Sequence, residues 1–421
     1  MIPGEKEKAI GPSRFVTSSD PDTDLFFTGL LRRIAEQVVR ETEDRGFLSL
    51  VLGGSLALGE GSGYRETGGG VQPGSDIDLY LIVEEGLVGE WSARAPGFRE
   101  RLLSALGVPG LVVDLGATSP DRLAGLRPSV AHCLLVRYGR TLAGDPGVLR
   151  RAPRLSFEDI PPWDGLLLLL NRVVELLAEW RTAPREGGEE REFWYRAGKT
   201  VRDLGTSALV AGGAFVPTIV ERMDAVPAFL DREGLSSRIP DFADDHRFWC
   251  VQKGRPDEVV ARERHGGAEA EAEARSRIAR YVDALYRWET ARIFGAREGA
   301  TPLEAMAGSE KLRRRVRAWA AHAGRGGRGA LRHLAAGLPA TPLRANYAAA
   351  VGLLLASGPL RGGEASARDE AALREACRAA PGAPPEKEGD YALRWGRLRN
   401  RVCAFWNREV MGGTRPPVPL R

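Results

Sequence analysis

The chain has 421 residues, 43% of them hydrophobic and 28% charged, the balance of a globular protein large enough for two or three domains. Its four cysteines, Cys133, Cys250, Cys377 and Cys403, form no CxxC pair, which argues against a disulfide framework and for a reducing, cytoplasmic compartment. No apolar run approaches the ~20 residues of a membrane span, no apolar signal core follows the N-terminus, and a net charge of +4 is weak support for a nucleic-acid binder.

Residues 1–23 are polar and are expected as a flexible lead-in. Residues 24–45 carry Phe26, Leu30, Ile34 and Val38 on one helical face, and Gly46 ends that helix. Phe47–Leu52 is a short apolar run into Gly53-Gly54, a buried strand meeting a glycine turn. Leu56–Leu58 opens a short helix. Residues 59–74 read as a long glycine-rich loop. Ile77–Val83 predicts a second strand, residues 97–106 a helix and Gly110–Leu115 a third strand. Residues 132–138 read as helical or extended. Strands mixed with helices make this region α+β.

After Pro161-Pro162 the pattern turns helical. Helices are predicted at 166–180, 193–212, 259–294, 303–322, 330–336, 343–356, 367–379 and 391–410, with Gly or Pro between most of them. The Gly/Arg stretch 324–329 reads as a helix–helix loop. The expected organisation is a catalytic domain over 24–155, a helical domain over 156–300 that completes its cleft, and a further helical bundle over 301–421.

The chemistry concentrates between Leu52 and Asp114. Asp76 and Asp78 alternate at the start of a strand, so both carboxylates reach one side of it. Asp114 lies in another apolar strand and joins them if the two strands pair. Three carboxylates around one point repel unless a cation sits there, and hard oxygen ligands suit Mg²⁺, with Mn²⁺ as its substitute. Two such ions bracket the attacking and leaving oxygens of phosphoryl transfer. Gly53-Gly54-Ser55, after a strand, exposes backbone N–H groups that cradle phosphate, and Ser55 adds a hydroxyl.

Leu52-Gly53-Gly54-Ser55 followed by Ser75-Asp76-Ile77-Asp78-Leu79 resembles the signature of the DNA polymerase β-like nucleotidyltransferases, the superfamily of aminoglycoside nucleotidyltransferases, poly(A) and CCA-adding polymerases and cGAS-like enzymes. The resemblance covers roughly residues 45–150. It implies a mixed sheet with helices on one side. It implies that Asp76, Asp78 and Asp114 hold two Mg²⁺ ions and that Gly54 and Ser55 contact an NTP triphosphate. The loop 59–74 lengthens the usual spacing and suggests a flap near the nucleotide. Leu58 stands where many members carry Arg.

Only six of the sixty basic residues are lysines, at positions 6, 8, 199, 253, 311 and 387. The arginine preference reads as that of a GC-rich genome. Lys199 shares a predicted helical face with Tyr195 and Arg202, and many enzymes similar to this superfamily place a lysine from the following helical domain on the triphosphate. Tyr195 reads as core and Arg202 as a structural partner of Asp203. His246 and Cys250 read as a helix cap and a solvated acidic turn rather than a metal site. His132-Cys133 and the tryptophans at 288, 319, 395 and 406 read as core, and Arg313–Arg317 as a solvated helix face. No GxSxG elbow is present.

The expected reaction moves a nucleoside monophosphate from an NTP to an acceptor hydroxyl and releases pyrophosphate, with Asp114 as general base. The expected acceptor is a small molecule, because no RNA-binding module stands out in the helical part. The competing readings are an RNA-terminal or cyclic-oligonucleotide-forming transferase, and an inactive scaffold.

Overall fold

A computed structural model describes residues 15–17, 21–42, 45–65, 70–180, 188–254, 267–295, 301–324, 340–361, 365–381 and 390–410. The chain divides into two compact units. The first runs through Asp159, with later returns at Pro217–Ile219 and from Val251; the second holds most of the chain from Ile160.

The first unit is mixed α+β. Helix α1 (Pro21–Thr42) leads to strand β1 (Phe47–Leu52), the single turn α2 (Gly54–Ala57), short strands β2 (Gly63–Arg65) and β3 (Val71–Pro73), and strand β4 (Ile77–Val83). Helix α3 (Val88–Leu106), strand β5 (Val113–Thr118), helices α4 (Pro120–Ala124) and α5 (Val130–Tyr138) and strand β6 (Arg140–Gly144) complete it. The sheet order is β5-β4-β1-β6. β4 and β5 are parallel, whereas β1 is antiparallel to both β4 and β6, so the sheet is mixed.

Alternation along the strands sends side chains to two different cores. Leu50, Leu52, Ile77, Leu79, Leu81 and Val113 pack on one face with Phe27, Ile34 and Val38 of α1 and Phe98 and Leu102 of α3. Val51, Ile82, Leu123 and Leu135 cluster on the other, with Tyr80 against them. Helices therefore cover both faces of the sheet, where the resemblance implied one.

Several expectations change. The lead-in is tied down at its end: Phe15 and Val16 are buried, and Val16 bridges Gly61. The loop 59–74 contains an antiparallel ribbon, β2 with β3, in which Gly63 pairs with Pro73. An Arg65–Asp22 ion pair of 2.8 Å ties that ribbon to the start of α1. Residues 66–69, within the expected flap, lie outside the described residues. Helix α3 starts at Val88 instead of residue 97, running through Pro96. Residues 140–144, where no strand was expected, form β6.

The second unit is helical. It comprises α6 (Pro162–Ala178), α7 (Gly188–Ala211), α8 (Ile219–Arg232), α9 (Phe242–Gln252), α10 (Gly267–Phe294), α11 (Pro302–Gly308), α12 (Leu312–Gly324), α13 (Pro342–Leu355), α14 (Ala367–Ala379) and α15 (Tyr391–Glu409), apart from the residues grouped with the first unit. The expected helix 303–322 is broken into α11 and α12. The expected segments 324–329 and 330–336, apart from Gly324, lie outside the described residues, as do 259–266 of the expected helix 259–294.

Helices on both sides of residue 301 share this unit. Asn171 on α6 joins them: its Oδ1 accepts from the Tyr347 hydroxyl of α13 at 2.6 Å and from the Trp406 indole of α15 at 2.9 Å. Trp319 and Trp395 are fully buried. Arg313, Arg314 and Arg317 of α12 are exposed, as a solvated face requires. No helix of the described residues is long and apolar enough to cross a membrane.

Candidate active site

β1 ends at Leu52, and the next residue is fastened to the neighbouring strand: the Gly53 amide donates to the Asp78 carbonyl at 2.8 Å. Gly54 follows at φ +62, where an L side chain is strained. A Cβ there would sit 1.8 Å from Asp78 Oδ2. Glycine is thus required twice, once by the backbone and once by the carboxylate lying on it. At Gly53 a Cβ would meet the Tyr80 ring at 2.8 Å. Ser55, half-buried, sits in the first turn of α2, whose leading amides have no partner within the turn. Arg140 of β6 closes that turn, its Nε donating to the Ala57 carbonyl at 2.8 Å while its guanidinium stacks on Phe15.

Asp78 and Asp114 are direct partners in the parallel β4–β5 ladder. Both alternate with residues of the α1/α3 core, so both carboxylates leave the opposite face, the face that carries Tyr80. The Tyr80 phenol registers the pair: burial, then the Asp78 and Asp114 charges, push it up to about 12. Strand alternation in Asp78-Leu79-Tyr80 places Tyr80 beside the carboxylates, a position legible in the sequence.

Asp76 stands just before β4 and is half-buried. Its neighbour Ser75 is buried and pinned: Ser75 Oγ accepts from the Ser62 amide at 3.0 Å and shares a hydrogen bond with the Ser62 hydroxyl at 3.1 Å. The Ile77 amide then donates to the Val112 carbonyl at 2.9 Å, opening the ladder. The structure thus brings Asp78 and Asp114 together with Gly54, and holds Asp76 at the same strand entrance. Among the described residues no group of three or more His, Cys, Asp or Glu side chains is gathered to hold a metal ion. The Asp78–Asp114 pair offers hard carboxylate oxygens side by side, a donor chemistry that suits Mg²⁺ or Mn²⁺.

Lys199 belongs to α7 of the second unit, half-buried one turn before Asp203. Burial pushes the Asp203 carboxyl up, but Arg172, Lys199, Arg202 and Arg222 overcome it and hold its pKa below the usual value. Arg172 Nε lies 2.5 Å from Asp203 Oδ2. Arg202 donates to the Trp249 carbonyl at 3.2 Å, so it anchors α9 as well as standing beside Asp203. His246 is no solvated cap. It is fully buried on α9, and burial followed by the Arg222 and Arg202 charges lowers its pKa to about 4. Cys133 is buried on α5, as expected, whereas His132 is only half-buried.

Comparison with known proteins returns no match: no family model, no curated protein and no solved structure matches the chain.

Proposed function

We propose that the chain is a Mg²⁺-dependent nucleotidyltransferase that moves a nucleoside monophosphate from an NTP to the hydroxyl of a small-molecule acceptor. The observation that carries this reading is the pairing of Asp78 with Asp114, with the positive-φ Gly54 pressed on the Asp78 carboxylate. It puts a phosphate-compatible glycine turn directly beside two hard-oxygen ligands. Asp78 and Asp114, with Asp76 at the strand entrance, would hold Mg²⁺, which when bound neutralises triphosphate charge and polarises the phosphorus.

The protein residues have separate tasks. Gly54 lets the backbone approach the triphosphate without a Cβ, and Ser55 offers a hydroxyl donor. Asp114 accepts the proton of the acceptor hydroxyl as its oxygen bonds to the α-phosphorus. The bond from the α-phosphorus to the bridging oxygen breaks, and pyrophosphate leaves. Lys199 is assigned to the β- and γ-phosphate charge.

The test is mass spectrometry of a metabolite extract incubated with the chain, Mg²⁺ and mixed NTPs. A new species heavier by one nucleoside monophosphate supports the reading and names both base and acceptor. Oligonucleotide products would move the acceptor to RNA or to a second nucleotide. No product, with no NTP binding in a calorimeter, would reject the enzyme reading in favour of a scaffold.

A further inference from the structure

A second charged feature lies on the other side of the first unit's sheet, where α1 and α3 pack. A cavity of about 580 Å³ opens between the end of α1 and the middle of α3. Four arginines line it: Arg40 and Arg45 from the α1 end, Arg94 and Arg101 from α3. All four are exposed. Among the described residues the lining carries one carboxylate, Glu41, which Arg101 holds through Nε at 3.1 Å and Nη2 at 2.9 Å. Arg94 pairs with Glu90, outside the lining, at 2.8 Å. Among the described residues no carboxylate pairs with Arg40 or Arg45.

The sequence keeps the space between these cations open. Arg94 and Arg101 stand two turns apart on one face of α3, and Gly97 lies between them on that face. Glycine in a helix interior costs stability relative to alanine. Here it leaves a floor without a side chain, where an added Cβ meets nothing closer than Arg101 Nη1 at 3.8 Å. The back wall is rigid: Trp91 is buried, and its indole donates to the Arg45 carbonyl at 3.3 Å.

We propose that this groove binds a small phosphate-bearing anion, at a site separate from the Asp78–Asp114 pair and independent of the function proposed for it. Planar guanidinium forks match phosphate oxygens in pairs, and several converging forks suit a ligand with more than one phosphate. Arg94 and Arg101 are held by carboxylates, and Arg40 and Arg45 have none paired with them among the described residues. The shared chemistry is that of a pyrophosphate group, either free or carried by a nucleotide.

Calorimetric titration with inorganic pyrophosphate, in chelator to disable metal-assisted binding, tests the site. Wild-type chain should bind one equivalent. The Arg40→Gln/Arg45→Gln variant should weaken binding about tenfold or more, and Gly97→Leu, which fills the floor while keeping every charge, should weaken it too. Asp78→Asn should bind as wild type. Competition by ATP, lost in the arginine variant, assigns a nucleotide; competition by tripolyphosphate alone assigns a free phosphate anion; either supports the site. Absence of pyrophosphate binding to the wild type, wild-type binding by both groove variants, or capture there of a short RNA but not pyrophosphate overturns it.

Discussion

Two acids, one half-buried and one fully buried, show how much single side chains decide. Asp78 stands out in the sequence because a strand, Gly-Gly-Ser, Ser-Asp-Ile-Asp and a later strand Asp occur in combination. What the sequence does not show is that Gly54 lies on its carboxylate. Gly54→Ala should cost about 1–3 kcal/mol for a left-handed non-glycine residue and displace Asp78, so that transfer falls more than folding does; parallel urea melts and initial rates check this. Glu289 of α10 is invisible to sequence reading, since it looks like one more charge on a charged helix. It is fully buried, its Oε1 lies 2.7 Å from Ser207 Oγ, and Ser207 Oγ lies 2.6 Å from the Gly165 carbonyl. One hydroxyl proton cannot serve both acceptors. A protonated Glu289 resolves the count by donating to Ser207, and burial raises its pKa from 4.5 to about 8, against a smaller lowering by Ser207. Between those values the unfolded chain releases the proton and the folded chain keeps it, so this contribution to stability declines as pH rises from 4.5 to 8. Glu289→Gln, which keeps a donor for Ser207, should remove that decline, a difference of up to about 1.4 kcal/mol per pH unit in urea melts.

At the level of elements, long amphipathic helices were readable. α1, α14 and α15 follow 3.6-residue periodicity, α13 is apolar nearly all round, and the boundaries of all four fall within a few residues of those expected. β1 and β4 were equally plain, as apolar runs ending at glycine or starting at an acid. The short strands were not. β2, β3 and β6 carry three to five residues each, too few for alternation to emerge, and the partner of β6, β1, lies far along the chain. α3 extends N-terminal of the expected 97–106 and runs through Pro96, because a helix packed along a whole face tolerates one lost hydrogen bond. The strand entrance to β4 rests on Ser75, which satisfies the Ser62 amide across thirteen residues. Ser75→Ala should leave that buried amide without its partner and cost about 1–3 kcal/mol, and Ser75→Thr should restore part of it; chemical denaturation distinguishes them.

On the scale of the whole molecule, the first unit carries the carboxylate pair and the glycine turn, and the second carries Lys199. Hydrophobic patterning foretold a mixed α+β region followed by helices. It could not foretell that helices on both sides of residue 301 share one unit, since that rests on contacts between distant segments, the two hydrogen bonds to Asn171 among them. Lys199→Met should raise the KM for NTP roughly tenfold or more with little change in kcat, the expectation for a lost charge-assisted phosphate contact. An unchanged KM would assign Lys199 to Asp203 alone. In the proposed function Asp78 and Asp114 together run nucleotide transfer. Pyrophosphate release with Mg²⁺, NTPs and an acceptor-containing extract, measured for wild type, Asp78→Asn and Asp114→Asn at matched urea midpoints, tests it most directly. Release should fall to background in both variants; release at the wild-type rate from either would show that transfer does not need this pair.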